Sequence, residues 1–191
     1  LARLIGQLPA RNVGRFGKEG DPLNLVLVGT EEQVIAALGA AGWTRVPVRI
    51  PASFRAGLAE VLAGGPPRAC PPMNLYQLEG RAQDLNWSKP ITPIAKRHHF
   101  RLWRSSWRDE RGRQVWWGSG NLDLDVRWRD LSHVPDPDMD AERDFIARSL
   151  AGSPHVESIR LERAPQVPLA GANDKGYAFR TDGRALVVVL R

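Results

Sequence analysis

The sequence predicts an α+β fold, in which a mostly antiparallel β-sheet has two or three helices packed on it. Strand-like segments outnumber helical ones, and tight turns join most neighbouring strands. Helical periodicity occurs in two places, early and late in the chain. Residues 23–50 read as strand, helix and strand, which predicts an N-terminal β-α-β unit.

The domain organisation follows from length and local composition. Residues 1–20 contain glycine, asparagine and basic residues with little periodicity, so we expect a linker or terminal extension, with residues 1–8 as a short helix or linker remnant. We expect residues 21–191 to form a single domain, because this length can enclose a core without disulfides or metal. The first residue is Leu1 rather than methionine, so we expect a piece of a longer protein.

The β-α-β unit has clear boundaries. Apolar residues 23–28 predict a buried strand, which Gly29 ends. Thr30 and Gln33 have the spacing of a capping box and predict the start of a helix. The apolar face of that helix is predicted to be Val34, Ile35, Leu38 and Ala41. Alternation over residues 43–50 predicts the second strand.

A second helix and two short strands should follow this unit. Ser53 is the predicted N-cap of the helix, and Gly64 and Gly65 end it. Its predicted inward residues are Phe54, Leu58, Val61 and Leu62. The proline-rich residues 66–72 predict a loop. Residues 74–79 and 83–89 are predicted strands joined at Gly80 and Arg81.

The strongest hairpin prediction joins residues 96–107 to residues 113–125 through a polar turn. If Arg108 pairs with Arg113, His98 lies opposite Asp123, and the carboxylate can fix the histidine tautomer.

Alternation then decides which way the two histidines point. It places His98 on the inward face with Phe100 and Leu102, and His99 on the other face as a surface or second-layer residue.

Residues 133–148 combine one histidine with five carboxylates at the predicted start of a late helix. Asp136 is the predicted N-cap and Pro137 the first helical residue. The apolar stripe of this helix is Met139, Ile146 and Leu150. Arg143 falls inside that stripe, so its charge must either reach solvent or find a buried partner.

The remaining elements are strands. Residues 155–162 alternate, residues 163–175 predict a polar loop, and residues 177–180 and 185–190 predict a final hairpin with an Asp-Gly turn. Because residues 185–190 are apolar on both faces, we expect this strand to be central.

Composition excludes several classes of protein. The net charge is +6, and arginine supplies all but four of the 27 basic residues, but these are scattered among acids. The sequence has no helix, ribbon or finger signature, which argues against nucleic-acid binding despite seven tryptophans. The single cysteine, Cys70, excludes an intramolecular disulfide, and no apolar run is long enough to span a bilayer.

The candidate polar residues come from the hairpin and from the start of the late helix, and we expect them to meet around Arg143. They are His98, His99, Asp123, His133, Asp136, Asp138, Asp140, Glu142 and Arg143. Histidine and carboxylate suit a divalent metal, for which the candidates are His98, His133, Asp138 and Glu142. No zinc, EF-hand or phosphate-loop motif is present, so the sequence identifies no cofactor. First-turn carboxylates are also ordinary helix caps, and both interpretations stay open.

Six segments together resemble the LssY C-terminal domain family of bacteria. They are DPLNLVLVGTEEQVIAALGAAGW from Asp21, LYQLEGRAQDLNWSKP from Leu75, KRHHFRLW from Lys96, VWWGSGNLD from Val115, HVPDPDMDAERDF from His133 and TDGRALVVVL from Thr181. The resemblance implies a domain that is attached to, or works beside, a bacterial membrane component of the DedA or lipid-phosphatase type. It names no reaction and no side of the membrane, and the recurrent polar positions of the family fall on the nine candidate residues.

Three functions are therefore expected. The first is an accessory or binding domain of a membrane-associated protein, recognising an anionic lipid or phosphate group, with a membrane protein or a membrane-embedded part of the same chain as partner. The second is a metal-dependent or acid–base hydrolase that uses the histidines and carboxylates. The third is a purely structural module whose polar groups form a satisfied network.

Overall fold

The structure is a computed structural model that describes residues 2–69, 72–92, 96–127 and 132–191. The single cysteine, Cys70, lies outside these described residues. The helices in these ranges are α1 (Ala2–Ile5), α2 (Glu31–Ala40), α3 (Ile50–Leu62) and α4 (Met139–Leu150). The strands are β1 (Arg11–Val13), β2 (Glu19–Pro22), β3 (Leu25–Val28), β4 (Thr44–Val46), β5 (Gln77–Leu78), β6 (Arg81–Ala82), β7 (Leu85–Pro90), β8 (Arg97–Arg108), β9 (Gln114–Arg127), β10 (Ser132–Pro135), β11 (Val156–Arg163), β12 (Ala170–Ala172), β13 (Ala178–Arg180) and β14 (Arg184–Leu190).

An eight-stranded sheet lies at the centre of the fold. Seven of its strands have the order β11-β14-β3-β9-β8-β7-β4, and β10 pairs with β9. Only β14 and β3 are parallel among these described pairs. The α+β fold and the N-terminal unit β3-α2-β4 are therefore confirmed. The apolar strand β14 lies between β11 and β3, as its two apolar faces predict.

Helices α2 and α4 cover the first face of the sheet. Thr30 and Gln33 form the predicted capping box of α2, and Val34 and Leu38 are buried. From α4, Ile146 and Leu150 join the same core as Phe100, Leu102 and Trp116 of the sheet. Gly120 makes this packing close, because a Cβ at this position would lie 2.9 Å from Ile146 Cδ1.

The second face of the sheet carries a separate core. Leu4, Ile5 and Leu8 are buried there beside Trp103 and Trp117 of the sheet. The predicted extension at residues 1–20 thus supplies apolar side chains to the core, and it also includes β1 and part of β2. Trp103 and Trp117 are each 1% exposed, so their indole rings serve the core rather than stacking on a nucleic acid.

The orientation predicted for the second helix is wrong. Helix α3 begins after Arg49, which makes no side-chain cap, and Ser53 and Gly57 are its buried residues. The four residues predicted to face inward are 51–80% exposed: Phe54, Leu58, Val61 and Leu62. The small residues face the body because the helix lies close to the loop that follows it, where the Ser53 hydroxyl donates to the carbonyl of Ala69.

The register predicted for the β8–β9 hairpin is wrong by one residue. Asp123 lies opposite Arg97, and His98 lies opposite Leu122. Two displacements combine to give this error: Arg108 lies opposite Gln114 rather than Arg113 at the turn, and an irregularity between Arg104 and Arg108 gives β8 two more residues than β9. The two histidines nevertheless lie on opposite faces as predicted, with His98 against α4, but His99 is 4% exposed and is therefore buried rather than at the surface.

Three further predictions about the elements are wrong. The late helix begins at Met139 with Asp138 as its N-cap, two residues after the predicted cap, and His133 lies in β10. Strand β13 pairs with β12 rather than with β14, and β12 lies inside the segment predicted as a loop. The two short strands predicted after α3 are present as β5 and β7, and β7 pairs with β4 and β8.

Candidate functional site

The nine candidate residues do not meet in one cluster around Arg143. The structure divides most of them among three groups. His98 pairs with Glu142 on the α4 face of the sheet. His99 and His133 lie with Asp123 on the second face. Arg143 pairs with Asp140 at the edge of α4. Asp136 and Asp138 shape the start of that helix.

The group on the second face belongs to a layer of buried polar residues. Cross-strand pairing aligns Asn86 with Arg101, Ser88 with His99, Arg101 with Ser119, His99 with Asn121 and Arg97 with Asp123. All of these residues are buried. The layer continues the face that carries Trp103 and Trp117, so one end of this face is apolar and the other is polar. Such a layer requires polar partners, because burying a polar group without a hydrogen bond is costly.

A narrow cavity of about 30 Å³ opens over this polar layer, and we call it the polar cleft. The sheet supplies Arg97, His99, Arg101, Asn121, Asp123, His133 and Pro135, and the covering segments supply Asp21, Asn74, Tyr76, Asn173, Lys175 and Tyr177. The volume admits only a few water-sized atoms, far less than a pocket for a drug-sized ligand. Only a small ligand or the terminal group of a larger one fits the cleft.

Asp123 organises the basic groups at one end of the polar cleft. Its Oδ2 lies 3.1 Å from Arg97 Nε, 3.4 Å from His99 Nδ1 and 3.3 Å from His133 Nδ1. Burial raises the pKa of the Asp123 carboxyl, and the charge of Arg97 opposes that rise. Burial lowers the pKa of His99 well below its usual value, and Arg101 and Arg97 act in the same direction. The His99 ring is therefore neutral at physiological pH.

Arg101 is the least satisfied charged group of the polar cleft. Its side chain is 5% exposed, and Nε donates to the carbonyl of Asn74 at 3.3 Å. The guanidinium lies 4.7 Å from the ring centre of Tyr76. Within the described ranges, neither Nη atom has a protein acceptor and no carboxylate lies within ion-pair distance. A buried cation without a carboxylate at ion-pair distance is a group that an anion would stabilise.

On the opposite face, His98 and Glu142 form a tight buried pair. His98 Nδ1 lies 2.6 Å from Glu142 Oε2, and the Glu142 side chain is fully buried. The His98 ring stacks on Phe145 with 3.5 Å between centroids. Burial raises the pKa of Glu142 to about 7, although the hydrogen bond with His98 opposes the rise. The histidine thus has a glutamate partner from α4, in place of the predicted Asp123.

Arg143 fastens α4 to the turn before β14. Its side chain is 1% exposed, and Nη1 donates to Asp140 at 2.8 Å and to Asp182 at 2.7 Å. Asp140 also accepts a hydrogen bond from Thr181 Oγ1 at 2.7 Å. Although burial acts against it, hydrogen bonds from Arg184 and Arg143 lower the pKa of Asp182 to about 2. We call Asp140, Arg143 and Asp182 the α4 latch, and its groups satisfy one another.

The two remaining carboxylates act at the N-terminus of α4. Asp138 accepts from the backbone N–H groups of Asp140 and Ala141, which makes it the N-cap, and it pairs with Arg180 at 3.0 Å. Asp136 accepts from the N–H of Asp138 at 2.8 Å in the turn before the helix. These contacts are those of capping residues.

The four metal candidates are not brought together. His98 and Glu142 contact each other, but His133 contacts Asp123, and Asp138 contacts Arg180. In the part of the chain that the structure describes, no group of three or more histidine, cysteine, aspartate or glutamate side chains has the arrangement of a metal site.

Several residues of the polar cleft were not among the sequence candidates: Arg97, Arg101, Asn121, Tyr76 and Lys175. A signal for Arg97 and Arg101 exists in the sequence. Arg97, His99 and Arg101 alternate along one face of a strand whose next residue on that face is Trp103. A tryptophan there indicates a buried face, and the polar residues beside it share that burial. Tyr76 and Lys175 reach the cleft through long-range packing, which no local pattern predicts.

Comparison with known proteins supplies the family. The family model described as LssY C-terminus matches residues 5–185, which is nearly the whole chain. Searches among curated proteins and among solved structures found no match. Over the described residues, no helix combines the length and the apolar character needed to cross a membrane. The extent of the family match shows that the chain belongs to the LssY C-terminus family.

Proposed function

We propose that the chain is a binding domain that recognises a small anionic group, of the phosphate type, in the polar cleft. The observation that carries the proposal is Arg101, a buried residue of the cleft lining whose two Nη atoms have no protein acceptor among the described residues. A tetrahedral oxyanion offers two oxygens to such a group, in the bidentate geometry that arginine favours.

The surroundings of Arg101 support an anion more than a cation or an apolar ligand. Arg97, Arg101 and Lys175 contribute positive charge to the polar cleft, against the carboxylates of Asp21 and Asp123. Asp123 is already paired with Arg97, and Asp21 accepts from Asn173 Nδ2 at 2.9 Å. The acids of the cleft are therefore engaged while the Nη groups of Arg101 are available. The small volume favours a terminal phosphate, whether free or attached to a lipid outside the cleft.

Calorimetry with inorganic phosphate, and then with glycerol phosphate, tests this proposal. The protein should bind with saturation, and Arg101→Gln should weaken binding at least about tenfold, because a charge-assisted hydrogen bond contributes about 1.5–3 kcal/mol. Arg101→Lys should be intermediate, because it keeps the charge and loses the planar donors. Arg160→Gln, at an exposed position of β11, is the matched control and should bind as the unmodified protein does.

The thermal stability of Arg101→Gln separates binding from a structural role. If the arginine only holds the fold together, its removal should lower the melting temperature. If its charge awaits a ligand, the melting temperature without phosphate should stay the same or rise, because an uncompensated buried charge has been removed. Equal phosphate binding by the two proteins, or no phosphate binding at all, would contradict the proposal.

Hydrolysis of a phosphate ester is a second candidate, and the contacts of Asp123 favour it. Two imidazole rings lie within 3.4 Å of this carboxylate, so one of them could be oriented as an acid–base group. The metal-dependent version has less support, because its four candidate ligands lie in different groups. Release of p-nitrophenol from p-nitrophenyl phosphate, lost in His99→Gln and in His133→Gln but kept in His155→Gln, would support this candidate.

A further inference from the structure

The geometry of α3 points to a second interaction surface, and we propose that this helix docks on an anionic phospholipid bilayer. The helix exposes its large apolar side chains and buries its small ones. Ile50, Phe54, Leu58, Val61 and Leu62 are 44–80% exposed. Their spacing places most of them along one stripe of the helix surface. We call these five residues the α3 stripe.

An apolar stripe of this kind is not the ordinary outcome of folding. A surface helix normally turns its large apolar residues to the core, but here the buried positions are Ser53 and Gly57. The exposed positions therefore form a contiguous apolar patch, which in soluble domains marks an interaction site. On a membrane surface, the side chains of such a stripe enter the boundary between headgroups and acyl chains.

The charges around α3 decide which partner fits. From residue 44 to residue 69 the chain has four arginines and one carboxylate. The carboxylate, Glu60, is occupied within the protein, where it accepts from the N–H of Ala69 at 2.9 Å. Arg49, Arg55 and Arg68 are exposed. An apolar stripe with a basic border complements a bilayer that carries negative headgroups, and each such arginine favours binding.

A groove lies at the loop that follows α3. Pro66, Pro67 and Ile91 line this groove of about 400 Å³ together with Arg68 and Lys89. The groove thus combines apolar walls with two cationic side chains, the pairing that a phospholipid headgroup and its first methylenes require.

A second copy of the chain is a poorer partner for the α3 stripe. Self-association through this face would bring the same exposed arginines together, and like charges at an interface disfavour binding. A bilayer also accepts protruding side chains without a preformed complementary groove. The proposal does not depend on the polar cleft, because α3 shares no residue with it.

Vesicle sedimentation with the 191-residue chain tests the proposal. The protein should sediment with phosphatidylglycerol-containing vesicles, less with pure phosphatidylcholine, and less at high salt. Phe54→Ser with Leu58→Ser should reduce the partition coefficient at least about tenfold, because two partly exposed apolar side chains no longer enter the bilayer. Leu169→Ser is the matched control, because Leu169 is 61% exposed and Leu58 is 60% exposed.

Both substitutions in the double variant change exposed residues, so its melting temperature should stay near that of the unmodified protein. Arg55→Gln should weaken binding to anionic vesicles and leave binding to neutral vesicles unchanged.

Equal sedimentation of the protein and the double variant, or no sedimentation at low salt, would overturn the proposal. Dimerisation lost in the double variant, without vesicle binding, would identify a protein interface instead. Arg101→Gln should sediment normally, so a failure of this proposal is distinguishable from a failure of phosphate recognition in the cleft.

Discussion

Arg101 and Arg143 are both buried arginines, but their surroundings give them different roles. Arg143 is bound by Asp140, Asp144 and Asp182, so its charge is compensated within the protein. Arg101 has a carbonyl and an aromatic ring as described partners, so its charge is available to a ligand. Whether a buried charge indicates a ligand site therefore depends on which groups of the protein already compensate it.

Arg143→Ala should destabilise the protein by about 3–5 kcal/mol, because it leaves carboxylates of the α4 latch without their cation. Chemical denaturation measures this change in unfolding free energy. Arg148→Ala is the control, because Arg148 is exposed in the last turn of the same helix, and it should change stability by less than about 0.5 kcal/mol. A similarly small change for Arg143→Ala would show that Arg143 contributes no buried pairing.

Glu142 should make stability depend on pH in a defined direction. Its folded pKa of about 7 exceeds its usual value of 4.5. Between these two pH values, the folded state therefore holds a proton that the unfolded state has released. Its contribution to stability is therefore complete at low pH and is lost as the pH rises through about 7. His98 from β8 and Asp123 from β9 act on this carboxyl, the first lowering and the second raising its pKa.

The measurement compares the protein with Glu142→Gln, which keeps a hydrogen-bonding group beside His98. Between about pH 5 and about pH 8, the unfolding free energy of the protein should fall by about 2–4 kcal/mol relative to the variant. Because the pKa of His99 is lowered, its own contribution to the unfolding free energy rises with pH, opposite to that of Glu142. His99 is present in both proteins, so this contribution cancels in the difference. A difference that stays flat or rises with pH would contradict the assigned environment of Glu142.

At the scale of elements, the contact between α4 and the sheet depends on a glycine. A Cβ at Gly120 would lie 2.9 Å from Ile146 Cδ1 and 3.3 Å from Phe100 Cβ. Gly120→Ala should therefore destabilise the protein by about 1–3 kcal/mol through overpacking. Gly39→Ala, in α2, meets no atom within 4 Å and should stabilise by about 0.5–1 kcal/mol through helix propensity. Thermal denaturation of both variants tests the contrast, and equal effects would argue against close packing at Gly120.

Element prediction from sequence was correct for some local patterns, was wrong for the N-caps predicted at Ser53 and Asp136, and failed where tertiary contacts decide. The capping box of α2 and the faces of His98 and His99 are local properties, and both are confirmed. The register of β8 and β9 depends on an irregularity after Arg104, which alternation does not reveal. For α3, periodicity identified the apolar stripe, but only the fold shows that the stripe faces outward.

At the scale of the whole molecule, the N-terminal segment completes the second core. Leu8 is fully buried, and Leu4 and Ile5 are nearly so. Leu8→Ala should cost about 2–5 kcal/mol of unfolding free energy, as for other buried leucines. Gln7→Ala, at an exposed neighbouring position, should be nearly neutral. If Leu8→Ala is also neutral, residues 1–20 behave as a linker rather than as part of the core.

The site was harder to predict than the fold for a physical reason. Sequence reasoning identified His99, Asp123 and His133 among its candidates, but it attached them to α4 and Arg143. The sheet separates His98 from His99, because neighbouring residues in a strand point to opposite faces. The polar cleft further depends on Tyr76 and Lys175, which come from distant segments of the chain and meet only in the folded molecule.

The most direct test of phosphate recognition is to locate a heavy tetrahedral oxyanion in crystals of the protein. Crystals soaked in selenate should show an anomalous peak in the polar cleft, with selenate oxygens at hydrogen-bonding distance, about 3 Å, from the Nη atoms of Arg101. Added phosphate should displace the peak, and Arg101→Gln crystals should lack it. Selenate found only at exposed arginines, with none beside Arg101, would contradict the account.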